Sequence, residues 1–76
     1  MLKLIVAMPC PFCVKVVNYI NEHNLTIEIE DTEWDQDRHL ELKAAYGKTQ
    51  VPLLLIDGSP LYESRDIIKY LEEHRS

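Results

Sequence analysis

The apolar positions in the first third of the chain predict two strands. Leu2–Ala7 is an apolar run interrupted by Lys3 alone, which is typical of a buried strand. Thr26–Asp31 instead alternates apolar and polar residues, which predicts a half-buried strand with Ile27 and Ile29 facing inward.

A β-hairpin is predicted in the second half of the chain. Leu53–Ile56 is an apolar run of strand length, and Asp57-Gly58 after it is a strong signal for a tight hairpin turn. We therefore expect Leu61-Tyr62 to pair antiparallel with the preceding strand.

The spacing of apolar residues in the segment between the first two strands predicts a helix. Phe12, Val16 and Ile20 recur at intervals of four, which places them on one helical face. Pro11 suits the first helical position, where its missing N–H costs nothing, and the pattern continues to about His23.

A second helix is predicted between an N-cap at Asp35 or Asp37 and an end at Gly47. Its periodic apolar residues are Leu42, Ala45 and Tyr46.

The last helix is predicted to begin with Ser64 as its N-cap. Its inward residues are Ile67, Ile68 and Leu71. The element order is thus β-α-β-α-β-β-α, in which the helix joining the first two strands makes them parallel and the hairpin is antiparallel. This order predicts an α/β fold with a four-stranded mixed sheet and helices on both faces.

Length and charge narrow the class of protein. A chain of 76 residues is one small domain, residues 1–76, and 46% hydrophobic residues with 28% charged suit a compact globule. The net charge of −5 disfavours binding to nucleic acid. The apolar runs are too short for a membrane helix, and no secretory signal pattern appears at the start. We expect a cytoplasmic monomer without nucleic-acid or membrane partners.

The Cys10-Pro11-Phe12-Cys13 segment carries the chemistry of the sequence. It lies where the first strand ends and the first helix begins, so Cys10 meets the unpaired N–H groups that favour a thiolate. Cys13 is one helical turn further and close enough to form a disulfide with Cys10. Competing interpretations are half of a zinc site, a structural disulfide and inert core cysteines. The sequence does not offer the four ligands that a structural zinc site needs. A disulfide that closes so short a loop would stabilise the folded state only slightly.

Three motifs together resemble the glutaredoxin family, most closely the bacterial glutaredoxins related to the N-terminal domain of glutathione transferases. They are Cys10-Pro11-Phe12-Cys13, Gln50-Val51-Pro52 and Glu63-Ser64-Arg65-Asp66-Ile67. The resemblance covers essentially the whole chain. It implies the thioredoxin fold, in agreement with the predicted element order, and glutathione as reductant.

The resemblance also implies a cis peptide between Val51 and Pro52, facing the cysteines. The backbone of Val51 is then expected to pair with the cysteinyl part of glutathione like an added strand. From the residues alone, Pro52 could equally begin an edge strand.

The other contacts to glutathione follow from the same resemblance. The start of the last helix and the Ser64 hydroxyl would hold the γ-glutamyl carboxylate, and Glu63 would meet the ammonium group. The simpler interpretation of both residues is helix capping, and both can hold together. Gln50 is the first candidate for the glycine carboxylate, with Arg38 and Lys48 as alternatives.

The function implied is a glutathione-dependent thiol–disulfide oxidoreductase. Cys10 is the expected nucleophile and Cys13 the resolving thiol, and the partners are disulfide-bonded or glutathionylated proteins. The alternatives are a thioredoxin-like reductant supplied by thioredoxin reductase and a non-catalytic glutathione-binding module. A transferase needs a helical second domain, for which we expect no chain after the last helix. We expect no metal, and Pro11 disfavours an iron–sulfur cluster.

Overall fold

The computed structural model describes residues 2–74, and these form strands and helices in the predicted order. The elements are β1 (Leu2–Val6), α1 (Pro11–Glu22), β2 (Glu28–Asp31), α2 (Gln36–Tyr46), β3 (Leu53–Ile56), β4 (Ser59–Leu61) and α3 (Ser64–His74). Within residues 2–74, every helix is too short or too polar to span a membrane.

The strands form one mixed sheet in the order β2-β1-β3-β4. β1 pairs in parallel with β2 and antiparallel with β3, so that Leu4 lies between Ile29 and Leu54. Leu61 pairs antiparallel with the preceding strand, as predicted, and lies opposite Leu54. Tyr62, which was also predicted to pair, lies just beyond the end of β4. The mixed four-stranded sheet is therefore confirmed.

Helices cover both faces of the sheet, because alternate residues of the central strands point to opposite sides. On one face the buried residues of β1 and β3 pack with those of α1 and α3; this cluster is Leu4, Val6, Cys13, Val16, Ile20, Leu54, Ile67 and Leu71. On the other face Ile5 and Leu53 pack with Leu42 of α2. The predicted thioredoxin-like architecture is present.

The predicted alternation of β2 was wrong. The strand begins at Glu28, and Ile29 is 38% exposed whereas Glu30 is half-buried. β2 is an edge strand, and Glu30 is stabilised by cations on both sides. Arg38 donates from Nε and Nη2 to the two carboxylate oxygens at 2.7 and 3.0 Å, and Lys3 Nζ lies 3.1 Å from Oε1. A carboxylate paired in this way can replace an apolar residue on a covered face.

The ends of α2 follow their signals. Of the two predicted caps, Asp35 is the N-cap, and its carboxylate accepts the N–H of Asp37 at 2.9 Å. Gly47 ends the helix in the left-handed conformation, with φ of 84°, and its N–H donates to the Lys43 carbonyl at 2.8 Å. Ala45, predicted to face inward, is exposed.

The predicted cap of α3 was also wrong. The Ile67 N–H donates to the carbonyl of Glu63 at 3.0 Å, so the helix is capped at Glu63 and Ser64 is its first residue. Glu63 has a φ of 70°. An N-cap residue ordinarily has an extended backbone and is a Ser, Thr, Asp or Asn, so the sequence did not point to Glu63 as the N-cap. Ser64 is therefore not the cap, but its hydroxyl and its N–H both lie at the start of α3.

Candidate functional site

The two cysteines occupy very different environments at the start of α1. Cys10 is the N-cap of α1, and its carbonyl accepts the N–H of Val14 at 2.8 Å. Pro11 follows as the first helical residue, as predicted. Cys10 is partly exposed, Cys13 is fully buried in the core cluster, and both are free thiols.

These environments move the thiol pKa values in opposite directions. The backbone N–H of Cys13 makes the largest contribution to lowering the pKa of Cys10 and, together with the N–H of Phe12, outweighs partial burial. Burial is the largest of the causes that raise the pKa of Cys13 to about 11, and the charges of Cys10 and Asp31 act in the same direction. Cys10 is thus the thiol that ionises, and Cys13 remains protonated.

This difference predicts a pH profile for alkylation. The thiolate is the reactive form, so the rate at Cys10 should rise with pH and have its midpoint below the value of about 8.5 that is usual for a free thiol. Cys13 should react only in strongly alkaline solution. Mass-spectrometric quantification of iodoacetamide labelling at each cysteine, from pH 4 to 11, measures both. Equal midpoints for the two cysteines would contradict the assignment.

A groove of about 440 Å³ lies between the start of α1, the loop before β3 and the start of α3. Its lining residues are Phe12, Lys15, Gln50, Val51, Pro52, Glu63, Ser64 and Arg65. Every residue that the resemblance assigns to glutathione is therefore at this groove. Cys10 is not among the lining residues, but Phe12, two positions along, is 63% exposed at its edge. The volume suits a small-molecule ligand.

A hydrogen bond joins two walls of the groove, the loop before β3 and the start of α3. Gln50 Nε2 donates to Glu63 Oε1 at 2.9 Å, so the two side chains assigned to opposite ends of glutathione contact each other. The alternatives to Gln50 lie elsewhere: Arg38 pairs with Glu30, and Lys48 Nζ lies 5.0 Å from the centre of the Tyr62 ring. Of these candidates for the glycine carboxylate, Gln50 is the one at the groove.

The family of this chain is established by its match to a protein-family model. Residues 4–76 match the family described as "Glutathione S-transferase, N-terminal domain". The chain belongs to this family. No curated protein matches it by sequence.

Solved structures of glutathione transferases share the fold of this N-terminal-type domain. A diazinon-metabolizing glutathione S-transferase of the silkworm, Bombyx mori, superposes with a TM-score of 0.84 at 19% identity, covering 99% of this chain and 38% of that one. Glutathione transferase E6 from Drosophila melanogaster gives 0.80 at 28% identity, covering 96% and 34%. The chain thus spans little more than a third of these transferases.

A shorter protein also has the same fold. A thioredoxin-like protein superposes with a TM-score of 0.73 at 23% identity, covering 96% of this chain and 97% of that chain. The thioredoxin-like fold of this glutathione S-transferase N-terminal domain thus also occurs in a protein of nearly equal length.

Two residues of the site were not predicted to line it. These are Lys15 and Arg65. Lys15 lies one helical turn after Phe12, so helical spacing could have indicated it, whereas Arg65 directly follows Ser64 and no such spacing points to it. The peptide between Val51 and Pro52 is cis, as the resemblance implies, and that between Met8 and Pro9 is also cis. Residues 2–74 contain no group of three or more His, Cys, Asp or Glu side chains arranged to hold a metal ion.

Proposed function

We propose that this member of the glutathione S-transferase N-terminal domain family is a glutaredoxin, a glutathione-dependent thiol–disulfide oxidoreductase. The observation that carries the proposal is the pair of cysteines at the start of α1, one partly exposed with a lowered pKa and one buried with a raised pKa. A groove that contains the residues assigned to glutathione begins two residues away, at Phe12.

The one-thiol route starts from a protein–glutathione mixed disulfide. The Cys10 thiolate attacks the glutathione sulfur, the protein leaves as a thiolate that takes up a proton, and glutathione becomes disulfide-linked to Cys10. The thiolate of a second glutathione then attacks the sulfur of the bound glutathione, the bond to Cys10 breaks, and glutathione disulfide leaves with the Cys10 thiolate restored. The protein sulfur is reduced to a thiol, and one free glutathione is oxidised as it joins the glutathione that came from the substrate.

The two-thiol route starts from a protein disulfide. Cys10 attacks one of its sulfurs, and Cys13, after losing its proton, attacks the resulting mixed disulfide. The products are the reduced protein and a disulfide between Cys10 and Cys13, which two glutathione molecules reduce in turn. Cys13 lies one turn along α1, where a helical residue can face the N-cap.

Glutathione would lie along the groove with its ends at the two walls. The Ser64 hydroxyl and the N–H groups that open α3 would donate to the γ-glutamyl carboxylate, since a helix start favours an anion. Glu63 would meet the ammonium group with its carboxylate, whose Oε1 accepts from Gln50 Nε2. Gln50 would donate to the glycine carboxylate, and the Val51 backbone would pair with the cysteinyl residue.

Replacing Ser64→Ala should weaken glutathione binding without altering the cysteines. A hydrogen bond to a charged group contributes about 1.5–3 kcal/mol, so we expect KM for glutathione to rise roughly 10- to 100-fold. Ser64 is not the cap of α3, so stability should change little. Steady-state kinetics with varied glutathione measures KM, and Ser59→Ala in exposed β4 is the matched control. An unchanged KM for Ser64→Ala would remove the hydroxyl from the binding site.

The proposed activity is tested by coupling turnover to a reductase. A mixed disulfide of glutathione and a small thiol is the substrate, and oxidation of NADPH is followed with glutathione reductase or with thioredoxin reductase. Glutathione-dependent turnover supports the glutaredoxin. Turnover with thioredoxin reductase alone would instead indicate a thioredoxin-like reductant. Glutathione binding without either activity would indicate a binding module.

A second candidate function is glutathione conjugation as part of a transferase. It is favoured by the family and by the share, 34–38%, of the matched transferases that this chain spans. In that case the groove would hold glutathione, and another domain would hold the electrophile. Assay of an aryl halide with glutathione distinguishes the two: conjugation that survives Cys10→Ala would favour the transferase.

A further inference from the structure

The Asp31 carboxylate links β2 to the turn that carries the nucleophile. Asp31 is the last residue of β2, opposite Val6 in the parallel pair with β1. Its Oδ1 accepts the N–H of Met8 at 3.2 Å and the N–H of Glu33 at 2.9 Å. Beside it, the Thr32 N–H donates to the Val6 carbonyl at 2.8 Å. The neighbouring strand thus holds the chain on both sides of the end of β1.

This contact matters because the turn has few backbone donors. Pro9 and Pro11 have no N–H, so neither can anchor the segment that leads into α1. The Met8 N–H bound to Asp31 lies two residues before Cys10. A shift of Met8 would therefore move the Cys10 sulfur relative to the N–H groups that favour its thiolate, and small displacements have large effects on reactivity.

The charge of Asp31 acts on the two thiols unequally. It contributes to the raised pKa of Cys13, whereas the groups that shift the pKa of Cys10 are the N–H groups of Phe12 and Cys13, the Cys13 thiol and partial burial. Among the described residues, Cys10 and Asp31 are the charged or titratable groups that act on the Cys13 thiol. Lys3, which lies opposite Glu28 in the same strand pair, forms ion pairs with Glu28 and Glu30.

We propose that Asp31 is a positioning residue of the thiol site: by accepting the Met8 N–H, its carboxylate fixes the turn that carries Cys10. The proposal rests on the proposed oxidoreductase function. A consequence of the same placement is that the Asp31 charge opposes the loss of a proton from Cys13, which precedes the attack of Cys13 on the mixed disulfide at Cys10. A second glutathione then has more time to resolve the same intermediate.

Two substitutions separate the hydrogen bond from the charge. Asp31→Asn keeps an oxygen that can accept both N–H groups and removes the charge, whereas Asp31→Ala removes both. Glu33→Gln is the matched control, because it removes an exposed negative charge two residues after Asp31. Three measurements apply to each variant: the pH profile of Cys10 alkylation, the absorbance of the Cys13 thiolate against pH in a Cys10→Ser background, and the ratio of two-thiol to one-thiol turnover.

Asp31→Asn should leave the Cys10 profile unchanged, lower the midpoint of Cys13 and raise the turnover ratio several-fold. The effect is several-fold because the carboxylate is exposed and its field is screened. Asp31→Ala should also slow Cys10 alkylation at pH 7 several-fold and move its midpoint toward that of a free thiol. Glu33→Gln should resemble the unmodified protein.

The proposal is overturned if Asp31→Ala leaves the Cys10 profile unchanged, or if Glu33→Gln reproduces the effect of Asp31→Asn. Absence of glutathione-dependent turnover in the unmodified protein would reject the proposed function instead. In that case the alkylation and absorbance measurements still decide the role of Asp31, since neither depends on glutathione.

Discussion

Cys10→Ser should abolish both routes of thiol–disulfide exchange. The first step in each is attack by the Cys10 sulfur, and a serine hydroxyl is not appreciably ionised near neutral pH and cannot replace a sulfur nucleophile. We expect turnover of glutathionylated and disulfide substrates to fall to background, a loss of at least about 10³-fold. The coupled assay with glutathione reductase measures both losses.

The fold of this variant should be intact, because Cys10 is partly exposed and its side chain is not required to cap α1. A thermal unfolding transition close to that of the unmodified protein is the control. Glutathione should still bind, since Cys10 is not among the residues that line the groove. A folded Cys10→Ser protein that still removes glutathione from a substrate would assign the nucleophile to another group.

The fold was predictable because its signals are local and agree with one another. Pro11 and Gly47 mark the start and end of helices through backbone geometry, and Asp57-Gly58 marks the hairpin. The parallel pairing of β1 and β2 then follows from the helix between them, which alternation alone could not establish.

The errors occur where contacts between distant residues decide the structure. Alternation placed Ile29 inward, but Glu30 takes the more covered position because Arg38 and Lys3 neutralise it. A pattern of apolar residues cannot anticipate an ion pair whose partners come from β1 and α2. The cap of α3 was misplaced for a related reason, since the positive φ of Glu63 comes from the chain path after β4 and not from its own preference.

The candidate site was predictable in its residues but not in its internal contacts. The motifs at Cys10, Gln50 and Glu63 are distant in sequence, and the sheet brings their segments to one end of α1 and α3. The hydrogen bond between Gln50 and Glu63 appears only when these two loops are placed side by side. The contact of Asp31 with Met8 likewise depends on the register of β1 and β2.

Cys13→Ser should separate the two routes of turnover. Reduction of a protein disulfide through an internal disulfide requires the second sulfur, so we expect two-thiol turnover to fall at least about 100-fold. Removal of glutathione from a mixed disulfide uses Cys10 alone and should change by no more than a few-fold. Initial rates on the two substrate types, measured on the same preparation, give the ratio directly.

The Cys10 thiolate should survive this substitution because its main stabilising donor is the backbone N–H of residue 13, which serine keeps. The serine hydroxyl can also replace the Cys13 thiol as a donor, and Cys13→Ala removes that donor as a matched comparison. Because residue 13 is fully buried, thermal unfolding of both variants is the control that each is folded at the assay temperature. If both variants lose the one-thiol activity while remaining folded at the assay temperature, Cys13 takes part in the first exchange and the division of roles between the sulfurs is wrong.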